Sequence, residues 1–132
     1  MRYNYFIKLK GDDSITFYDR NGNPIAYLHT DGKHIYLFNG KPVAYLYENT
    51  VYGFNGKQFG WFEDGWIRDI HGSCVFFTEN TMGGPSKPMK SMKPMKSMKQ
   101  MKPMKNMKQS RLSKPSISSS WSTLSGIQFF SQ

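Results

Sequence analysis

The 132-residue sequence has a single cysteine, Cys74, and no long hydrophobic run. One cysteine cannot form a disulfide within the chain, which excludes the covalent cross-links that stabilise many small secreted domains. No apolar stretch approaches the roughly 18 residues of a membrane-spanning helix, and the N-terminus opens no hydrophobic signal region. We therefore expect a reduced, cytoplasmic protein in which Cys74 is a small core residue.

Acidic residues are missing from the C-terminal part of the chain. Residues 80–132 contain ten Lys and Arg and no Asp or Glu, whereas residues 1–79 contain eight Lys and Arg against nine acids. The net charge of +9 therefore belongs to the C-terminal part. Aromatic residues are divided the opposite way, since 18 of the 21 lie before Asn80. We expect a core in the first part and a basic appendage in the second.

Motifs for catalysis and for cofactor or metal binding are also missing. The sequence has no glycine-rich phosphate loop, no nucleophile elbow and no candidate catalytic triad. Most carboxylates stand beside turns, where turn chemistry explains them. The three histidines, His29, His34 and His71, also flank turns, and no third metal ligand is evident beside them. We expect no catalytic residue, no metal site and no cofactor, and hence no enzyme.

Four turn dipeptides divide the first part into an internal repeat. They are Asn21-Gly22, Asn39-Gly40, Asn55-Gly56 and His71-Gly72, spaced 18, 16 and 16 residues apart. Each precedes an apolar segment with an aromatic third residue, in residues 25–28, 43–46, 59–62 and 74–77. Before the turns, the corresponding residues are taken to be Ile15, Ile35, Val51 and Ile67. This alignment gives the first repeat a two-residue extension, Asp19-Arg20.

Turns at this spacing predict short antiparallel strands, because the glycines interrupt every helical window. A type I′ hairpin turn needs positive φ at both central residues, which Gly adopts freely and Asn tolerates. An alternating N-terminal segment, residues 3–9, predicts one further strand. We predict an all-β fold, an antiparallel meander of four repeated β-hairpins arranged around a pseudo-four-fold axis, because closure hides strand edges. An extended basic tail follows.

Small and large residues alternate at equivalent positions of the repeats. Small residues allow the repeats to approach closely, and the large residues next to them fill the opposite face. The small residues are Ala26, Ala44 and Gly60, and the large ones are Tyr27, Tyr45, Trp61 and Phe76. Val75 departs from this pattern, so the fourth repeat is expected to be the least symmetric.

A strict three-residue repeat runs from Lys87 to Lys108, in which seven methionines each precede a lysine. Pro88, Pro94 and Pro103 exclude a regular helix, and a three-residue period matches the polyproline II conformation. We interpret the methionines as an adaptable packing surface. The methionines are Met89, Met92, Met95, Met98, Met101, Met104 and Met107. The lysines are candidate anion-binding residues: Lys90, Lys93, Lys96, Lys99, Lys102, Lys105 and Lys108.

The serine-rich end of the chain carries apolar residues that are unusual for a free tail. Ser125-Gly126-Ile127-Gln128 has the form of a helix capping box. We therefore divide the chain into a hairpin-repeat domain (1–82), an extended Pro/Met/Lys arm (83–114) and a short aromatic anchor (115–132). The anchor is predicted to dock on its own domain or on a partner through Trp121, Leu124, Ile127, Phe129 and Phe130.

The combination of these features resembles the bacterial four-fold beta flower proteins. The residues that carry the resemblance are the phrases NPIAYL and KPVAYL in aromatic hairpin units, the P-M-K-rich tract and the ending WSTLSGIQFF. The resemblance covers nearly the whole chain and implies four hairpins around a common axis. The family has no assigned activity, so the resemblance carries over no catalytic or binding residue.

We predict a non-catalytic interaction or assembly module whose arm packs through methionine and presents lysine to an anionic partner or surface. A nucleic acid or a lipid surface would be bound without sequence specificity, because nothing in the tract reads bases. A protein partner and self-association stay open. Two alternatives are Cu(I) handling through the M-x-x-M repeat, which the adjacent ammonium groups disfavour, and a structural arm for oligomerisation. In a competing interpretation the lysines only solubilise the protein or lie against the domain's own acids.

Overall fold

The computed structural model describes residues 14–132 and contains eight antiparallel strands that close into a barrel. Each strand pairs with its neighbours in sequence, and β8 closes on β1 where Phe77 faces Tyr18. The strands are β1 (Ile15–Tyr18), β2 (Pro24–Leu28), β3 (His34–Leu37), β4 (Pro42–Tyr47), β5 (Thr50–Tyr52), β6 (Gln58–Glu63), β7 (Trp66–Asp69) and β8 (Cys74–Phe77), and helix α1 (Gly126–Phe130) ends the chain.

The predicted all-β meander of four hairpins closed around one axis is confirmed. The predicted N-terminal strand, residues 3–9, lies outside the described residues. Across residues 14–132, no helix is long and apolar enough to span a membrane.

The four repeat turns differ from the type I′ turns that we predicted. In each turn the glycine has positive φ and donates its N–H to the carbonyl three residues earlier, as Gly40 does to Leu37 at 2.9 Å. Between Ser14 and Gln132 the only non-glycine residues with positive φ are Glu48, Asn49 and Asp64, at the opposite end of the barrel. A β-bulge adjoins each repeat turn. The repeat turns are therefore type I turns with a glycine bulge.

The strand register also corrects our alignment of the first repeat. Phe17 faces Ala26 as Ile35 faces Ala44, so Phe17 and not Ile15 is the equivalent of Ile35. Asp19-Arg20 is therefore no extension. The two extra residues of the first repeat lie in the connection between β2 and β3, which is longer than the two-residue connections β4–β5 and β6–β7. The alignment was wrong because it followed apolar residue type, whereas the turn glycine sets the register.

In the fourth repeat, our alignment of the apolar segment with those of the other repeats is wrong by one residue. Phe76 faces Ile67 in the register where Ala26 and Ala44 stand, so the aromatic residue on the outer face is Phe77. Phe76 instead points into the barrel and stacks on Phe130, with ring centroids 5.3 Å apart. A phenylalanine at a position where the other repeats have Ala or Gly breaks the four-fold symmetry of the interior.

Side chains alternate along the strands between the inside and the outside of the barrel. The aromatic side chains on the outside, which include Tyr27, Tyr36, Tyr45 and Tyr52, are here called the outer aromatic ring. Interior positions are small where strands approach closely, and a Cβ atom on Gly60 would overlap the carbonyl oxygen of Arg68. The buried interior cluster contains Phe17, Ala26, Leu28, Ile35, Ala44, Val51, Phe59, Ile67, Val75, Phe76, Phe129 and Phe130. The last two residues come from α1, so the C-terminal helix contributes to the barrel core.

Helix α1 begins with the predicted capping box, which is confirmed. The Ser125 hydroxyl accepts the Gln128 N–H at 3.1 Å, and the Gln128 side-chain oxygen accepts the Ser125 N–H at 2.8 Å. Two N–H groups that helix geometry leaves unpaired are thereby satisfied. The cap orients Phe129 into the core, where its ring lies 5.7 Å from Phe59, while Ile127 is 53% exposed.

Phe129→Ala is expected to lower the free energy of unfolding by about 3–5 kcal/mol, because it removes a fully buried ring and leaves a cavity. Ile127→Ala on the exposed side of the same helix is the matched control, with an expected loss below about 1 kcal/mol. Urea denaturation followed by tryptophan fluorescence measures both. Equal losses in the two variants would contradict the placement of α1 in the core.

Candidate functional site: the lysine-rich belt

Residues 87–118, here called the belt, run around the outside of the barrel and contact the four repeat turns in succession. The contacts are backbone hydrogen bonds to the carbonyl of each turn glycine. Ser91 donates to Gly22 at 2.8 Å, Gln100 to Gly40 at 2.9 Å, Gln109 to Gly56 at 2.8 Å and Ser118 to Gly72 at 3.1 Å. Each donor follows the previous one by nine residues. The belt therefore advances one barrel repeat for every nine residues of its own.

This nine-residue period was not predicted from the sequence, because the more obvious three-residue period conceals it. Nine residues make three turns of polyproline II, an advance of about 28 Å. A second pair of donors has the same spacing, since Ser97 donates to the Phe38 carbonyl at 2.8 Å and Asn106 to the Phe54 carbonyl at 2.9 Å. The nine-residue period can be recognised from the type of residue that precedes each methionine. Polar residues with an N–H stand at the donating positions, and Pro94 and Pro103 stand between them.

The turn glycines allow the belt backbone to approach closely. A Cβ atom on Gly22, Gly40 or Gly56 would overlap the carbonyl oxygen of Met89, Met98 or Met107, respectively. Each of these glycines also has a positive φ angle, between 83° and 95°. Glycine is thus favoured at these turns for two independent reasons, its backbone conformation and the space that the belt occupies.

The tract methionines point away from the barrel, which corrects our interpretation of them as the packing surface. All seven, from Met89 to Met107, are 87–94% exposed. The surface that faces the barrel consists instead of belt backbone and lysine side chains. Main-chain groups and ammonium groups therefore hold the tract, and the thioethers make no part of the core.

The belt lysines lie over the outer aromatic ring of the barrel. Tyr27 stacks on Tyr36, and Tyr45 stacks on Tyr52, with ring centroids 5.9 Å apart in both pairs. The Nζ atom of Lys96 lies 4.6 Å from the Tyr27 centroid, and nine residues later Lys105 lies 4.6 Å from that of Tyr45. A cation over an aromatic face is attracted by about 0.5–1 kcal/mol at exposed sites.

Further belt lysines also lie over tyrosine rings. Lys99 lies 5.8 Å from the Tyr27 centroid and 5.7 Å from that of Tyr36, while Lys108 lies 4.6 Å from Tyr47. Lys90 lies 5.8 Å from the Tyr18 centroid. Of the seven predicted anion-binding lysines, five are therefore seated over tyrosine rings: Lys90, Lys96, Lys99, Lys105 and Lys108.

Burial raises the pKa of two tyrosines under the belt, Tyr18 and Tyr45, and so favours their neutral forms. The pKa of Tyr45 is raised because its phenol is desolvated, with a smaller contribution from neighbouring Tyr52. Desolvation also raises the pKa of Tyr18, and the negative charge of Glu79 raises it further. These rings consequently attract the ammonium groups through their π faces and do not neutralise the positive charge of the belt.

Ion pairs with the barrel occur towards the two ends of the belt. Lys90 pairs with Glu79 at 3.1 Å, Arg111 with Glu48 at 2.9 Å, and Lys114 with Glu63. The interpretation that belt cations lie against the domain's acids therefore holds at these three positions. Between them, and counting only carboxylates within residues 14–132, no ion pair is formed by Lys93, Lys99, Lys102, Lys105 or Lys108.

The belt meets the fourth repeat through different residues. Arg68 occupies the place that Tyr36 and Tyr52 hold in earlier repeats, and its guanidinium donates to the carbonyls of Gly72 at 2.8 Å and Ser118 at 2.6 Å. Arg68 was not among the residues predicted from the sequence, because a single arginine at a position where other repeats have tyrosine forms no recognisable motif.

The predicted anchor residues continue from this point. Trp121 packs edge-on against Trp66 at 5.7 Å, and the Ser122 hydroxyl donates to Asp69 at 2.5 Å. Leu124 is half-buried against the interior cluster, and Phe129 and Phe130 belong to that cluster. Ile127 is the one predicted anchor residue that the structure leaves exposed.

Cys74 has the core environment that we predicted, whereas His34 is buried at the start of β3. Cys74 is buried, and desolvation raises the pKa of its thiol, so the nucleophilic thiolate is disfavoured. His34, the first residue of β3, has its Nδ1 atom 2.7 Å from the carboxylate of Asp31 in the β2–β3 connection, and its ring stacks on Phe54. In the described part of the chain, His, Cys, Asp and Glu form no group of three that could hold a metal ion.

Comparison with known proteins identifies one match. The model of a protein family described as "4-fold beta flower protein" matches residues 15–130 of the chain. This range includes all eight strands, the belt and helix α1. No curated protein and no solved structure gives a significant match to the chain.

Gly40→Ala is expected to lower the free energy of unfolding by at least about 1 kcal/mol more than Gly83→Ala. Both glycines have positive φ and so share a backbone penalty of about 1–2 kcal/mol, but only at Gly40 would the new methyl group meet the belt. The extra loss reflects the broken hydrogen bond from Gln100.

Urea denaturation measures this difference, and limited trypsin digestion reports on the belt directly. Cleavage after Lys99 should accelerate in Gly40→Ala, because the displaced segment becomes accessible, and should stay unchanged in Gly83→Ala. Equal stabilities and equal cleavage rates in the two variants would mean that the belt is not held at this turn.

Proposed function

We propose that this chain, which belongs to the 4-fold beta flower family, is a non-catalytic binding module whose belt binds a flexible polyanion. The observation that carries the proposal is the uncompensated charge in the middle of the belt. There, exposed lysines stand without a carboxylate partner among residues 14–132, whereas the cations nearer the ends of the belt are paired with barrel glutamates. Among carboxylates of residues 14–132, the lysines without an ion-pair partner are therefore Lys93, Lys99, Lys102, Lys105 and Lys108, all in the middle of the belt.

Fixed side chains favour this binding further. Lys99, Lys105 and Lys108 rest on tyrosine rings, so part of their conformational freedom is already lost before any partner arrives. Ordering a long side chain at an interface costs about 0.5–1.5 kcal/mol, and a preorganised group avoids part of that cost. A tyrosine ring, unlike a carboxylate, attracts an ammonium group through its π face without forming an ion pair with it. The ammonium groups are therefore suited to contact phosphate or another anionic group.

The path of the belt favours a linear partner over a flat one. Because the belt contacts each repeat turn in sequence, its lysines are distributed around the barrel and do not share one plane. A flat anionic bilayer would meet the lysines on one side only. A flexible chain such as single-stranded nucleic acid could follow the belt and contact all of them. We therefore favour the nucleic acid over the lipid surface.

The contacts would be electrostatic and independent of base sequence. The aromatic rings that would stack on bases, such as Tyr27 and Tyr45, are buried under the belt and not presented to a ligand. Contacts between lysine and phosphate carry no base information. Binding is thus expected to weaken steeply as salt increases, because each neutralised phosphate releases counterions.

Soft-metal binding is the second candidate, and the observation that favours it is the exposure of all seven thioethers. Successive methionines are one polyproline II turn apart, about 9 Å, and every thioether is followed by an ammonium group that repels a cation. We rank this function below polyanion binding for those reasons. Titration of the reduced protein with Cu(I) tests it, and the absence of submicromolar binding would exclude it.

A structural role for the arm is supported by its contacts within the chain. The belt and α1 cover the outer ring and extend the core of the same molecule. Such a role is compatible with polyanion binding, because a lysine whose stem covers a tyrosine ring keeps its ammonium group hydrated. Oligomerisation through the arm stays a separate prediction that measurement of the solution mass addresses.

Replacing the five unpaired lysines by glutamine is expected to weaken binding of a labelled single-stranded oligonucleotide at least about tenfold near 0.1 M salt. For the unmodified protein, the slope of log affinity against log salt should be about −3 to −4, since each ammonium contact on a single strand contributes about −0.7. Fluorescence anisotropy measures both quantities. The substituted residues are Lys93, Lys99, Lys102, Lys105 and Lys108.

The matched control carries five substitutions to glutamine on the outward side chains of the same segment and keeps every charge. It replaces Met92, Met95, Met98, Met101 and Met104. This variant should bind like the unmodified protein. Equal affinities of the lysine variant and the unmodified protein would refute the proposal, as would a salt slope near zero. Stronger binding to phosphatidylserine vesicles than to the oligonucleotide would assign the belt to a lipid surface instead.

A further inference from the structure

The seven tract methionines form a row of thioethers that neither the core nor the proposed polyanion contact uses. They follow one another every three residues along the belt, and each is 87–94% exposed. We propose that these methionines are reversible oxidation sites: each thioether takes up one oxygen atom from a peroxide while the barrel keeps its fold. The ligand class is a two-electron oxidant, with hydrogen peroxide as the simplest member.

The reaction is balanced with these two partners alone. A lone pair of the methionine sulfur attacks one peroxide oxygen, the S–O bond forms, and the O–O bond breaks. Sulfur is oxidised by two electrons to the sulfoxide, and the peroxide is reduced by the same two electrons. The departing hydroxide takes the proton of the transferred oxygen and leaves as water. Sulfoxide reductases reverse the change with a separate dithiol as the two-electron reductant: the S–O bond breaks, the oxygen leaves as water and the dithiol becomes a disulfide, which makes the modification repeatable.

The way the belt is held explains why the fold tolerates this chemistry. Methionine oxidation usually disrupts a protein because a polar sulfoxide replaces an apolar side chain in a core or an interface. Here the barrel holds the belt through backbone N–H groups, as at Gln100 and Gln109, and through lysines over tyrosines, as at Lys96 and Lys105. Each new sulfoxide would remain in water, and no packed contact would be lost.

Charge is also unchanged by the modification. Sulfoxide and thioether are both neutral, so the lysine that follows each methionine keeps its ammonium group and its tyrosine contact. The inference is therefore independent of polyanion binding. Oxidation is expected to leave oligonucleotide affinity unaltered if the belt binds nucleic acid, and the sites remain oxidisable if it does not.

Hydrogen peroxide treatment of the full chain tests the proposal. Peptide mass mapping should show an increase of about 16 Da at each of the seven methionines, because each gains one oxygen atom. The seven rates should lie within about threefold of that of N-acetylmethionine amide, since exposure controls susceptibility. The melting temperature by circular dichroism should change by less than about 2 °C, because no buried contact is lost. Methionine sulfoxide reductases should then restore the original mass.

Leu28→Met supplies a matched thioether inside the barrel. Leu28 belongs to the interior cluster, and an exchange of leucine for methionine usually costs less than about 1.5 kcal/mol, so the variant should fold. Its new thioether should stay reduced after the seven belt methionines have been oxidised. The proposal would be overturned if the belt methionines reacted more than about tenfold slower than the free derivative, or if their oxidation lowered the melting temperature by about 5 °C or more.

Discussion

The close approach of the belt backbone to the turn glycines is the contact on which the rest of the structure depends. A carbonyl oxygen of the belt occupies the space where Gly22, Gly40 and Gly56 lack a side chain, and a belt N–H two residues later donates to the same turn. Because these contacts use the main chain, they do not restrict the identity of the belt side chains. Each side chain can therefore suit the surface that it faces, either the barrel or the solvent. The three-residue repeat therefore assigns lysine to the barrel and methionine to solvent without changing the path of the chain.

The barrel needs this cover because an eight-stranded barrel has a narrow interior. Its inner positions accept Ala26, Ala44 and Gly60, so much of the aromatic surface of the sheet lies on the outside. A ring that contains Tyr27 and Tyr45 would otherwise be an exposed apolar surface of the kind that promotes association. Lysine is well suited to cover it, because its alkyl stem packs on the ring and its ammonium group stays hydrated.

Much of the barrel could be predicted from the sequence, because hairpins depend on local signals. Turn dipeptides and alternating apolar residues suffice for eight strands, their order and their closure. The register of the first repeat and of the fourth was wrong, because Ile15 and Phe76 were matched by residue type and not by distance from the turn glycine. The helix cap at Ser125 was predicted correctly because it, too, depends on four consecutive residues.

The belt could be predicted only as an extended segment, since a period of three determines conformation but not contact. Docking through backbone N–H groups produces no apolar pattern, so nothing in the methionines or lysines indicates which side faces the barrel. Only the third residue of each repeat unit, the one that precedes the methionine, indicates which positions contact the barrel. Gln100 and Asn106 stand where a donor is required, and Pro103 stands between them where the barrel accepts no hydrogen bond.

Asymmetry in the fourth repeat solves a problem that this regularity creates. Consecutive nine-residue units of the belt are so similar that a shift by one unit would preserve most lysine and methionine positions, much as a strand without distinctive residues slips in register. Arg68 and Trp66 have no counterparts in the other repeats, and together with Asp69, which stands where the first repeat has Asp19, they contact Ser118, Trp121 and Ser122. This unique contact selects one register for the belt, and it also positions α1 so that Phe130 reaches Phe76. The departures from four-fold symmetry are therefore what allow a repetitive belt to adopt a single position on a repetitive barrel.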